Sequence, residues 1–178
     1  MIALRSLLYD KSEESFAFWF VIKTWWTGLD ENRGARARLR RAKTPDEVFI
    51  SPDYQRGVIA LLAEKGIDLS AADKAKLALG IGVLVHAKPQ SAEIPAPTMH
   101  FARQLAPEDP GQESVRDPRF RKLLSITEPE PLFLMLRRLV AYLGKQVDYK
   151  SLIRGAADWT EETRRDWAKQ YYVSRSEK

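Results

Sequence analysis

Apolar residues recur along this chain with a period near 3.6. No run alternates strictly between apolar and polar positions with hairpin turns at its ends, so the pattern predicts an all-α protein. Helix starts are marked by capping residues. Ser12 precedes an apolar stretch ending near Gly28, and Asp30 is placed to cap an arginine-rich segment. Thr44-Pro45-Asp46-Glu47 reads as a capping box with proline at the first helical position. Ser51-Pro52 repeats that start, and Gly66 closes the helix that follows. Ser70 opens a helix ending near His86, and Asp117-Pro118 and Thr160 with Glu161 and Glu162 open two more.

Two stretches read as loops. Lys88 to Pro97 holds three prolines, and Ala106 to Ser114 holds two prolines, a glycine and three acids. They flank a short piece, Thr98 to Leu105. The expected architecture is therefore two helical bundle lobes, residues 1–87 and 115–178, joined by a loop-rich connector, 88–114, that carries a short helix.

Composition narrows the class. In 178 residues, 44% apolar content with five Trp and seven Phe suffices for a packed core and excludes a disordered chain. Cysteine is absent, which excludes disulfides and thiolate-bound zinc and suits a reducing cytoplasm. The longest apolar run, Phe16 to Trp26, is too short for a bilayer and is broken by Lys23, so no membrane association is expected. The net charge of +5 permits nucleic-acid binding, and its distribution matters more than its total.

Six basic residues and no acid lie between Arg33 and Lys43: Arg33, Arg36, Arg38, Arg40, Arg41 and Lys43. On a helix Arg33, Arg36 and Arg40 fall within about 60° of one another, with Ala35, Leu39 and Ala42 gathered opposite. Packing that small apolar side on the helix of Trp25 and Trp26 leaves a row of guanidiniums outward, each able to donate two hydrogen bonds to one phosphate. The other reading is a solvated face pairing with carboxylates elsewhere, although no acid stands at i+4 to any of the five arginines. A second patch, Arg116, Arg119, Arg121 and Lys122, surrounds Phe120, Leu123 and Leu124. Arg137 and Arg138 lie opposite the stripe Leu132, Met135, Leu136, Leu139 and Leu143. Both also fit ordinary helix surface. Three basic helical surfaces together would make a groove that tracks a phosphate backbone without reading bases.

Other signals carry little chemistry. His86 and His100 have no carboxylate at metal-ligand spacing, and Gly80-Ile81-Gly82 lacks the rest of a phosphate loop. The N-terminal Trp and Phe residues sit at core spacing, which outweighs the other reading, a stacking platform for bases. No nucleophile has a base beside it, so no catalytic residue, metal or cofactor is expected.

Several pieces, in order, resemble a known family. Trp25-Trp26 leads through Leu29-Asp30 into Gly34-Ala35-Arg36-Ala37-Arg38-Leu39-Arg40-Arg41-Ala42, followed by Phe101-Ala102-Arg103-Gln104-Leu105-Ala106. Then come Asp117-Pro118-Arg119-Phe120-Arg121-Lys122-Leu123-Leu124, Leu136-Arg137-Arg138-Leu139-Val140, Val147-Asp148-Tyr149, Leu152, Trp159 and Arg164-Arg165-Asp166-Trp167-Ala168. Their order and spacing resemble the small subunit of the type I-E CRISPR Cascade complex, the CasB family. Met99, His100 and Ala102 depart from the family's pattern around its middle phenylalanine, and the loop from Lys88 to Pro97 is longer. The resemblance implies a non-catalytic subunit of two helical bundles, paired head to tail with a second copy and touching the backbone subunits and the large subunit. It also implies contact with guide RNA and target DNA, stabilising the heteroduplex and the displaced strand of the R-loop while base pairing reads sequence. The implied nucleic-acid-binding residues are Arg36, Arg38, Arg40, Arg41, Arg103, Arg119, Arg121 and Lys122, with Arg137 and Arg138. Arg33 and Lys43 extend the first run. A second class stays open: a helical interaction module whose basic faces meet acidic protein partners.

Overall fold

A computed structural model describes residues 1–90, 97–108, 117–144 and 146–173, and all regular structure among them is helical. Of the connector, residues 91–96 and 109–114 lie outside the described residues, as do Val115 and Arg116. The helices are α1 (Leu4–Tyr9), α2 (Glu13–Gly28), α3 (Arg33–Arg41), α4 (Pro45–Phe49), α5 (Ala60–Glu64) and α6 (Ala71–Leu84). A wide π-helical turn, Asp53–Ile59, leads into α5. After the first loop come α7 (Phe101–Leu105), α8 (Asp117–Ser125), α9 (Pro129–Tyr142), α10 (Tyr149–Ala157) and α11 (Glu161–Tyr172).

The capping residues act much as their spacing predicts. The hydroxyls of Ser12, Thr44, Ser70 and Thr160 each accept the backbone N–H three residues on. Thr44 departs from a closed capping box in one respect, since the Glu47 carboxylate accepts the N–H of Lys43, at 2.6 Å. Asn32, not Asp30, caps α3. At Asp30 the chain is still turning out of α2, with Asp30 N bonded to Thr27 O and Asn32 N to Gly28 O, so helical geometry restarts only at Arg33. Gly66 closes α5 at a φ of 74°, a left-handed value that glycine alone adopts without strain.

Helix α6 is the centre of the molecule. From Leu77 to Leu84 every residue is buried, which leaves that half of the helix without a polar face. It packs most extensively on α10, then on α4 and α9. Close approach depends on its small residues. A Cβ added at Gly82 would lie 2.6 Å from Phe133 of α9 and 2.7 Å from Val48 of α4, while one at Gly80 would meet Ile153 at 3.5 Å. These glycines are packing positions, not part of a phosphate loop. Gly155 of α10 plays the same part against Trp167, 2.2 Å from the Cβ it lacks.

Long-range polar ties fasten the periphery to this centre. Leu4 N donates to Asp73 of α6, and Arg154 Nε of α10 donates to Leu8 O at 2.7 Å. Ser151 Oγ of α10 accepts Phe101 N at 2.8 Å and so holds α7. Tyr171 of α11 donates to Asp117 at the start of α8. His100, half-buried, stands edge-on to Trp167 with Asp166 3.7 Å away. Burial pushes its imidazole below the ordinary range, against the pull of Asp166 and Asp148. Helix α2 departs from the core spacing read for its aromatics. Phe18, Trp19 and Trp26 are buried, but Phe16 and Phe20 are 82% and 58% exposed, because a helix apolar on nearly every side has docked through one of them.

Gly82→Ala is expected to cost about 1–3 kcal/mol through overpacking, and to lower the melting temperature by roughly 2–4 °C per kcal/mol. Gly28→Ala, where nothing lies within 4 Å of the new methyl, should leave it in place, with circular-dichroism melting as the readout. The folded chain holds His100 less protonated than the unfolded chain does, so acid favours unfolding. Stability should fall as pH drops below about 6.5, and His100→Gln should show a shallower fall between about pH 7 and pH 5. Equal slopes would remove the histidine from the acid response.

Candidate nucleic-acid interface

The arginine-rich helix α3 buries Ala35 and Leu39, and Ala42 follows them inward, as their spacing requires. The basic residues take three different situations. Arg33, Arg41 and Lys43 are exposed. Arg38 is exposed too, but it forms a two-pronged pair with Asp53, Nε to Oδ2 at 2.9 Å and an Nη to Oδ1 at 2.8 Å. The partner stands fifteen residues on, beyond any helical repeat. Arg36 and Arg40 are half-buried. Arg36 thus departs from a row of outward guanidiniums: it reaches inward to the chain after α6 and donates to Ala87 O at 3.3 Å.

Arg137 of α9 completes the arrangement. It donates to Ala42 O at 2.8 Å and to Arg40 O at 3.3 Å, filling the carbonyl end of α3, where a helix accepts cations. Its guanidinium also lies 5.0 Å from the Phe133 ring. Burial lowers the pKa of both Arg36 and Arg137, and the charge of Arg40 lowers it further. Arg40 is therefore the common neighbour of two cations. The charge of Asp30 acts the other way on Arg36, and no described carboxylate forms an ion pair with Arg36, Arg40 or Arg137. Arginine does not deprotonate in response. Three fixed charges share one corner of the surface at the junction of α3 and α9.

The basic surface extends along α9 to α8. Arg138 is exposed, and Tyr142, four residues on, shares its face. The Arg119 guanidinium of α8 lies 5.7 Å from the Tyr142 ring. Phe120 and Leu123 anchor α8, which leaves Arg119, Arg121 and Lys122 in solvent. The structure thus joins α3 to α9 through Arg137, and α9 to α8 through Tyr142. Arg103 is half-buried on α7, a helix held by α10 and α11 rather than by these three. Tyr142 escaped the sequence reading. The signal that could have found it is an exposed aromatic four residues after a basic pair.

Residues 35–172 match the model of the family described as CRISPR-associated protein Cse2. The chain belongs to the Cse2 family. Cse2 is the small subunit of the type I-E Cascade complex, also called CasB, and a Cse2 chain works there with other subunits. The match begins inside α3 and runs into the last turn of α11, so it takes in α8, α9 and all of α3 but Arg33 and Gly34, and leaves α1 and α2 ahead of it. No curated protein and no solved structure matches this Cse2 chain. Among the described residues no helix is long and apolar enough to cross a membrane, and no group of three or more His, Asp or Glu is placed to hold a metal.

In this Cse2 chain, neighbouring arginines are expected to separate by role. Arg137→Ala removes two charged donors from the end of α3 and should cost about 1.5–3 kcal/mol. Arg138→Ala, on the solvent side, should stay within about 0.5 kcal/mol of wild type. Chemical denaturation of the two variants measures the difference.

Proposed function

We propose that this Cse2 chain is a non-catalytic, cytoplasmic Cascade subunit that holds nucleic acid non-specifically along the band running from α3 across α9 to α8. One observation carries the reading: Arg36, Arg40 and Arg137 crowd together without a paired carboxylate. Such crowding raises the energy of the isolated chain and is relieved by a polyanion. Arg36 and Arg137 hold the corner in place through backbone carbonyls. Arg33, Arg40, Arg41 and Lys43, then Arg138, Arg119, Arg121 and Lys122, present charge to phosphates. Arg38 shares its charge with Asp53 and contributes less, and Arg103 contributes from α7.

Within the complex, the band stabilises the heteroduplex of guide RNA and target DNA and the displaced strand, while base pairing reads the sequence. The backbone subunits, the large subunit and a second copy of this chain are its protein partners.

The test is target-DNA binding by the assembled complex carrying Arg40→Ala, Arg41→Ala and Arg138→Ala together. Affinity should fall at low salt. The slope of log K against log salt should become shallower by about 0.9 for each phosphate no longer neutralised, while the melting temperature holds. Unchanged affinity and slope would defeat the proposal and assign the basic faces to acidic protein partners.

A further inference from the structure

Beside the buried face of α2, away from the arginine band in sequence, lies an open groove of about 560 Å³. Phe16 and Phe20 stand on its rim, 82% and 58% exposed, and Tyr9 is 43% exposed. One turn of helix separates the two phenylalanines, which puts their Cβ atoms about 5–6 Å apart on one face. Lys23 follows on that face, and Lys11 and Lys150 border the same groove. Its floor is Trp19, locked edge-on against Phe18 and Tyr149, with Lys150 5.8 Å from its ring. Arg154 lies 5.4 Å from the same ring and is held by the carbonyl of Leu8. Against these four cations the groove sets one acid, Asp10. Glu13 and Glu14 stand nearby in the first turn of α2, where they face the positive end of its dipole.

Two adjacent phenylalanines in water are costly, and cations outnumber carboxylates in the groove beside them. A partner with planar apolar faces and regularly spaced negative charge suits both features. We propose that this groove is a stacking site for single-stranded nucleic acid, with bases laid on Phe16 and Phe20 and phosphates on Lys11, Lys23 and Lys150. The site deepens the nucleic-acid-holding reading and rests on it for the presence of an unpaired strand. Phe16, Phe20, Trp19, Lys11 and Lys23 lie ahead of the segment matched to Cse2, and Lys150 and Arg154 lie within it.

The experiment uses the full chain, with fluorescence anisotropy of a labelled oligothymidylate and of an abasic oligomer of equal length. Phe16→Ser with Phe20→Ser should weaken oligothymidylate binding about tenfold or more. The salt slope should be unchanged, and the abasic oligomer should bind alike to both proteins. Both positions are exposed, so the melting temperature should hold, and Phe16→Tyr with Phe20→Tyr should restore binding. Equal affinity of the serine variant and wild type for oligothymidylate would overturn the proposal. So would failure of wild type to bind it, or a loss confined to co-purification with other subunits. The Arg40, Arg41 and Arg138 variant is measured in parallel. Loss there alone removes the stacking site and keeps the band, and loss at the phenylalanines alone does the reverse.

Discussion

Helix α6 has no surface to give to water from Leu77 to Leu84, and every neighbour is arranged around that demand. Burying a helix on all sides requires partners that come close enough to exclude solvent. Glycine at positions 80 and 82 makes this geometrically possible. Helix α10 settles along Gly80, while α4 and α9 meet across Gly82 through Val48 and Phe133. The position of α9 therefore follows from a missing methyl group, and the basic band follows from α9, because that helix carries Arg137 to the end of α3 and Tyr142 to Arg119.

The band is consequently both structure and surface. Arg137 commits two donors to the carbonyls of Ala42 and Arg40 and still brings its charge beside Arg40. Arg36 does the same at Ala87. Each ends a stretch of backbone that would otherwise present bare carbonyl groups, and each narrows the freedom of the guanidinium that does so. A rigid cluster of like charge binds an anion with less ordering cost than flexible side chains would. Membership of the Cse2 family gives such a cluster an assembly in which to operate.

Much of the fold was legible in the residues, because helix caps are local. Ser12, Ser70 and Thr160 act within three positions, which sequence displays directly. Asp30 misled because the turn out of α2 consumed it, a matter of backbone path. The arginines were legible as charge but not as roles. Arg38 finds its acid fifteen positions away and Arg137 finds its carbonyls ninety-five and ninety-seven away, separations at which no periodicity speaks. Phe16 and Phe20 were hidden for the opposite reason. In a helix apolar on most sides, hydrophobic pattern cannot say which side docks.

The hydrogen bonds from Arg137 also set an order of events during synthesis. When the end of α3 is synthesised, the residue that closes its carbonyl groups is still nearly a hundred positions from being made. Until then the five arginines sit on a helix with an unfinished end and without their neighbour across the junction. A nascent chain that stops short of α9 thus carries the charge without the shape. The surface comes into being only once α9 has been made and has docked, so a fragment of the molecule cannot offer it to a polyanion.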